Sequence, residues 1–283
     1  MLRSPVDSLA CALFPSPCAY CGNPLLRLHR APVCDFCWYS LSPQQGVLCA
    51  RCGEDLGVAS FSMPRLAPGD PRNEQLCQPC RLAPPAFSNA AAYGVYQGPL
   101  RGFIHLLKYD GMRPIAGRLG KLLAGTLRTA PEFDAAAQPR RIVVVPVPMH
   151  RAKRRSRGFN HATLLAEAVA AEMRRTHSAW SFELDEGLLE RRKATLSQAG
   201  LTPHQRRVNL RGAFFSPHPA RIAGRHVLLV DDVFTTGATA RACSRILSDA
   251  GAASIFVATA ARAQREGVAF WDALYLRPRQ EGG

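Results

Sequence analysis

The 283-residue chain is 47% hydrophobic and 20% charged, a composition that can bury a sizeable core in one large or two modest domains and excludes a disordered tail protein. No apolar run reaches the roughly 18 residues a spanning helix needs, and the early patch Leu9–Phe14 is short and interrupted by Cys11, so neither membrane insertion nor a secretory signal is expected. The net charge of +15 is unevenly placed, with seven Arg/Lys against six Asp/Glu in residues 1–87 and twenty-nine against fifteen in residues 88–283, so an anionic partner, phosphate groups or a nucleic acid backbone, is expected on the later two-thirds.

Nine of the ten cysteines precede residue 81, and eight form four C-x2-C pairs: Cys18/Cys21, Cys34/Cys37, Cys49/Cys52 and Cys77/Cys80. Such a turn lets two thiolates converge on one tetrahedral ion, and two turns close a structural site. Four turns therefore predict two structural zinc ions in a zinc-ribbon region over residues 1–87. Sequential and interleaved pairings satisfy the spacing equally. Disulfides are the rival chemistry, but a chain without a signal peptide stays in the reducing cytoplasm, where thiols persist. The stretch Gly57–Asn73, rich in Pro, Gly and small residues, reads as a loop.

A boundary follows near Pro84-Pro85, and residues 88–283 read as a second domain. Ala90–Gln97 predicts a strand, and Gly98-Pro99 opens a helix whose apolar face is Leu100, Phe103, Ile104, Leu106 and Leu107 and which Gly111 can stop. Ile115–Leu127 repeats the helical period. Ile142–Val145 is a short β-branched run ending at Pro146, the kind of strand buried in a parallel sheet. A basic loop follows, and then Asn160 is placed to cap a helix carrying Leu164, Leu165, Ala168, Val169 and Met173. Strands alternating with helices predict an α/β fold, a mostly parallel sheet flanked by helices.

The most informative segment runs from Val227 to Thr239. Its four apolar residues predict a buried strand, Asp231 and Asp232 stand at the strand's end, and a small-residue turn opens a helix with Ala240, Cys243, Ile246 and Leu247 on its inner face. Ligands bind at such strand ends. Thr235, Thr236 and Thr239 supply hydroxyls, Gly237 permits close backbone approach, and the amides from Ala238 onward are free to donate. That pattern predicts a monophosphate cradle. Two ionised carboxylates beside it can accept hydrogen bonds from the vicinal hydroxyls of a ribose.

This stretch resembles the thirteen-residue phosphoribosyl pyrophosphate motif of the type I phosphoribosyltransferases, and the chain from about residue 10 to 262 resembles the ComF family. The resemblance rests on the four C-x2-C turns, Pro146-Val147-Pro148 and its basic loop, Arg157-Gly158-Phe159-Asn160, Asn209–Phe214 and Asp231–Thr239. His161 stands where Gln is expected, and Gln205 where Glu is usual.

The resemblance implies a type I phosphoribosyltransferase-like domain in which Pro146–His150, with Arg151, Lys153, Arg154, Arg155 and Arg157 beyond it, holds pyrophosphate. It further implies Mg2+ arriving with phosphoribosyl pyrophosphate, Asp231 and Asp232 orienting the ribose, and Thr235, Thr236, Gly237, Ala238 and Thr239 anchoring its 5′-phosphate. The polar stretch Thr195–Arg211, with Gln198, Gly200, Arg206 and Arg207, resembles the family's mobile loop. Two functions are consistent with these expectations. One is phosphoribosyl transfer to an acceptor; the other is single-stranded DNA handling within a DNA-uptake machinery, with the same pocket taking a nucleotide or a 5′-phosphate.

Overall fold

The structure, a computed structural model, describes residues 16–26, 30–57, 75–133, 140–193 and 212–264. Cys11, Gln205, the polar stretch 195–211 and nearly all of the loop expected over 57–73 lie outside them. Two short helices, α1 (Asp35–Tyr39) and α2 (Gln78–Leu82), each begin directly after a cysteine. The chain then runs β1 (Asn89–Val95), α3 (Gly98–Tyr109), α4 (Pro114–Arg128), β2 (Arg141–Pro146), α5 (Arg151–Arg157), α6 (His161–Thr176) and β3 (Ser181–Leu184). It continues through β4 (Glu190–Arg191), β5 (Phe214–Phe215), β6 (His226–Phe234), α7 (Ala238–Asp249) and β7 (Ser254–Arg262).

Five strands form a parallel sheet in the order β1-β7-β6-β2-β3, and β4 pairs antiparallel with β5 in a separate two-stranded sheet. The apolar runs of the central strands are continuous because both faces are covered. Ile142, Val144, Leu228, Val230, Phe256 and Ala258 point into a core shared with α3, α4 and α6. Their alternating neighbours Val143, Val145, Val227, Leu229, Ile255 and Val257 point into a second core with α7. Period-two alternation thus distributes a uniformly apolar strand between two layers.

Helix boundaries follow local chemistry. Pro99 and Pro114 sit in the first turns of α3 and α4, where a missing N–H costs nothing. Asn160 caps α6 by accepting from the Ala162 amide, as its position before an amphipathic run predicts. Gly120 lets α4 approach α6 so closely that an added Cβ would lie 2.4 Å from that of Ala168.

The Cys-rich region is packed onto this sheet. Gln44 donates its backbone N–H to Tyr93 of β1 at 2.6 Å, which helps cover the outer edge of the sheet. Cys18, Cys37 and Trp38 join the core on the α3 side, with the Trp38 ring 4.4 Å from that of Phe103. Cys49, Cys52, Cys77 and Cys80 join the core on the α7 side. Fully burying Phe103 alone contributes about 2–3 kcal/mol.

Two expectations are corrected in detail. The basic stretch after Pro148 is a helix, α5, capped at its start by the His150 Nδ1 accepting from Ala152 and stopped by Gly158 at φ +79°. The strand expected over four residues continues through the acidic pair to Phe234, because Asp231, Val233 and Phe234 stay in register with β7.

Candidate functional site

The β2–α5 and β6–α7 segments meet at the C-terminal ends of β2 and β6, the position at which parallel sheets present ligand sites. They enclose a cavity of about 610 Å³, within the range of small-molecule sites. Its wall contains Asp231, Asp232, Thr235, Gly237, Ala238 and Thr239 from the β6–α7 segment, and His150 and Lys153 from the β2–α5 segment. Of the other expected residues, Arg157 also lines it, whereas Thr236, Arg151, Arg154 and Arg155 do not. Thr236 accepts, at a long 3.4 Å, from the Ala238 amide. Arg151 and Arg154 are solvent-exposed and face Glu190 (3.4 Å) and Glu186 (3.8 Å).

The turn at the head of α7 has the geometry of an anion cradle. Gly237 is its N-cap at φ +75°, ψ 7°, a left-handed conformation that strains any residue with a Cβ. An added Cβ would also meet the Phe234 ring at 2.6 Å. The amides of the first turn of a twelve-residue helix are directed at the cavity's end of α7, where the helix dipole favours negative charge.

The acidic pair is asymmetric. Asp232 is 4% exposed, and its Oδ2 lies 2.5 Å from Lys108 Nζ and 2.8 Å from His161 Nε2. Burial opposes its charge, but His161 and Lys108 outweigh burial and hold its carboxyl well below the usual carboxylate range. Asp231 is pushed the other way, up to about 6, by burial and then by the Asp232 charge. One carboxylate is therefore locked ionised, while its neighbour can exchange a proton near neutrality.

Arg157 Nη1 lies 3.2 Å from His161 Nδ1. A guanidinium only donates, so Nδ1 accepts and Nε2 carries the proton that bonds to Asp232. A Gln amide could accept and donate in the same way, which gives a physical reason why His161 can replace the expected Gln.

Lys108 from α3, Tyr109, Arg157 and Arg191 also line the cavity, and sequence reasoning had not placed Lys108, Tyr109 or Arg191 there. Lys108 lies on the polar side of an amphipathic helix, which resembles an ordinary solvated face. Arg191 lies on the two-residue strand β4, too short to give a pattern. Together with Lys153 these side chains form a cationic wall. The Lys153 ammonium, on an exposed residue, is disfavoured first by partial desolvation at the cavity and then by Arg157, Lys108 and Arg191. An incoming anion would relieve that repulsion.

The eight cysteines form two groups of four, each with its sulfurs within 4.8 Å of one another: Cys18, Cys21, Cys34 and Cys37, and Cys49, Cys52, Cys77 and Cys80. This is the sequential pairing, and none of the described cysteines is disulfide-bonded. Sulfurs about 3.8 Å apart are what a tetrahedron with metal–sulfur bonds of about 2.3 Å requires. The Cys21–Cys34 and Cys52–Cys77 separations are 3.7 and 3.5 Å. The Cys34 and Cys77 amides donate to Cys18 and Cys49 sulfurs, both at 3.3 Å, which favours thiolates. Both clusters fit structural metal ions in a zinc ribbon.

Residues 164–279 match the family model described as phosphoribosyl transferase domain. The DNA utilization protein YhgH of Salmonella typhimurium (strain LT2) is 32% identical over 243 residues, 86% of this chain and 95% of that protein. The chain belongs to the ComF family. Another ComF relative, competence protein F of Haemophilus influenzae, is 29% identical over 252 residues, 87% of this chain and 96% of its own length. Among solved structures, glutamine phosphoribosylpyrophosphate amidotransferase from B. subtilis complexed with ADP and GMP aligns at 19% identity over 52% of this chain and 26% of that one, with a TM-score of 0.30. No helix among the described residues of this ComF chain is long and apolar enough to cross a membrane.

Proposed function

We propose that the cavity binds phosphoribosyl pyrophosphate or a related ribose 5-phosphate, and that the protein transfers the phosphoribosyl group to an acceptor. The observation that carries this reading is the meeting, in one cavity, of a helix-head anion cradle, a carboxylate pair and a wall of four cations: Lys108, Lys153, Arg157 and Arg191. The cradle of Thr235, Thr236, Gly237, Ala238 and Thr239 would hold the 5′-phosphate. Asp231 and Asp232 would accept from the ribose hydroxyls and favour positive charge developing at C1. His150 and the cations would hold the pyrophosphate, so that the C1–oxygen bond breaks with its electron pair leaving on a neutralised group. Arg151 and Arg154, exposed on α5 and outside the cavity wall, would contribute at longer range.

Mg2+ bound to the pyrophosphate would supply further charge neutralisation. Asp231 and Asp232 are oxygen donors of the kind it takes, but Lys108 already neutralises Asp232, which favours a metal carried by the substrate over one held by the protein. The two four-cysteine sites would hold zinc, the ion that tetrahedral thiolate sets select, with residues 1–87 forming the ribbon and 88–283 the transferase-like domain. The test is pyrophosphate release from phosphoribosyl pyrophosphate across a panel of nucleobases. Release with an acceptor, lost in Asp231→Asn, is expected; tight binding without release for any acceptor would leave a binding protein.

Single-stranded DNA handling is favoured by one separate observation. Helix α5 exposes Arg151, Arg154 and Arg155 on its outer surface beside the cavity mouth, and the relatives are named for DNA utilization and competence. Binding that weakens steeply with salt and falls in the Arg154→Ala/Arg155→Ala double variant is expected; absence of binding at low salt would remove this function.

A further inference from the structure

The second four-cysteine cluster reaches both ends of the phosphate cradle through two arginines. Arg262, the last residue of β7, is 2% exposed. Its Nη2 lies 3.5 Å from Cys52 Sγ and pairs with Glu54, and its guanidinium lies 4.4 Å from the centre of the Phe234 ring. Phe234 is its register partner on β6 and occupies the space beneath Gly237. On the other side, Arg241 in the first turn of α7 donates to the Ala83 carbonyl at 2.6 Å and the Pro79 carbonyl at 3.5 Å, and lies 3.7 Å from Cys80 Sγ. The amide of the same residue donates to Gly237 at 2.8 Å. The residue entering the cradle and the helical turn leaving it are thus both tied to sulfurs of one cluster.

Charge explains why these ties should respond to metal. Four thiolates around a dication carry two net negative charges, and a buried guanidinium is stable only beside compensating anions. Glu54 compensates part of the Arg262 charge. The remaining attraction, and a second hydrogen bond from the same Nη2, come from the cluster. Release of the metal would leave neutral thiols that accept only weakly, and would free the segment carrying Cys49, Cys52 and Glu54. The first cluster, by contrast, packs through Tyr20 on Gly102 and Trp38 on Phe103 of α3, with no such link to Phe234 or α7 among the described residues.

We propose that Arg262 and Arg241 are positioning residues through which metal occupancy of the Cys49/Cys52/Cys77/Cys80 site sets the shape of the cradle from Phe234 to Ala240. This rests on the reading of that turn as a phosphate site, and it adds a ligand-independent consequence. Hydrogen exchange followed by mass spectrometry on the full, metal-loaded chain without ligand reads the cradle directly. Arg262→Lys keeps the charge but loses the planar fork and the stacked face. Exchange of the 241–244 amides, which bond back to the cradle's own turn as Arg241 does to Gly237, is expected to accelerate about tenfold in this variant and in Cys77→Ser, with α6 unchanged, and to stay at the wild-type rate in Cys21→Ser. A uniform acceleration throughout the chain, or none at 241–244, would overturn the proposal. If Cys77→Ser fails to fold, Arg262→Lys and Arg241→Gln carry the test, with native mass spectrometry confirming that both metal ions remain. Titration with phosphoribosyl pyrophosphate separates the two ideas: a wild-type protein that binds none, beside a variant whose cradle still loosens, removes the phosphate reading and keeps the coupling.

Discussion

Replacing Lys108 by Met tests the electrostatic core of the site. Lys108 Nζ is 2.5 Å from Asp232 Oδ2, and the two side chains are 18% and 6% exposed. Removing one partner of a buried pair costs about 3–5 kcal/mol when the other charge is left alone. Here His161 still donates to Asp232 at 2.8 Å, so a loss of about 2–3 kcal/mol is expected. Because most of that loss is a stranded carboxylate, the Lys108→Met/Asp232→Asn double variant should recover much of it, with a coupling of about 2 kcal/mol. The sign with pH follows from the Asp232 carboxyl being held below its ordinary value of 3.8. The pair's contribution is present above that value and is lost as pH falls through the lowered one. The Lys108→Met deficit should therefore be full at pH 7 and shrink toward pH 3. Urea unfolding of the four proteins, with unchanged m values, measures it. A deficit below about 0.5 kcal/mol at pH 7, or additive single effects, would refute the reasoning.

Other outcomes follow from the same geometry. Asp231, raised to about 6 from an ordinary 3.8, favours its protonated form in the folded state, so wild-type stability should fall as pH rises through that interval. Asp231→Asn should then gain with pH, to at most about 3 kcal/mol above pH 6; a difference independent of pH in denaturation at pH 4.5 and 8 would contradict this. Gly237→Ala adds a Cβ 2.6 Å from Phe234 at φ +75° and should cost about 2 kcal/mol in chemical denaturation; wild-type stability would show that the turn is not constrained as described. Native mass spectrometry should find two zinc ions per chain, and one after loss of either cysteine quartet; any other count would revise the assignment of the clusters.

Much of the scaffold was legible because each signal had a local physical cause. Ile142–Val145 and Val227–Val230 are apolar on both faces, as strands between two layers must be. Asn160 precedes an amphipathic run and caps it. The cradle was legible because small residues and a glycine directly after a strand leave few other uses for that backbone. What stayed hidden depends on tertiary approach. Nothing local marks Lys108 as the partner of Asp232, which is 124 positions away and meets it only when the fold brings the end of α3 within reach of β6. Arg262 looks like the polar end of a strand until Glu54 and Cys52 are brought against it. The cationic run from Arg151 to Arg157 read as a loop because no apolar stripe marks it as helical, and no side chain of α5 is buried.

Isothermal titration calorimetry of the metal-loaded protein with phosphoribosyl pyrophosphate and Mg2+ tests the central claim most directly. Saturable one-site binding is expected, weakened at least about tenfold in Gly237→Ala, where the added Cβ meets the Phe234 ring. Heat no greater than dilution for the wild-type protein, or equal affinity in the variant, would contradict it.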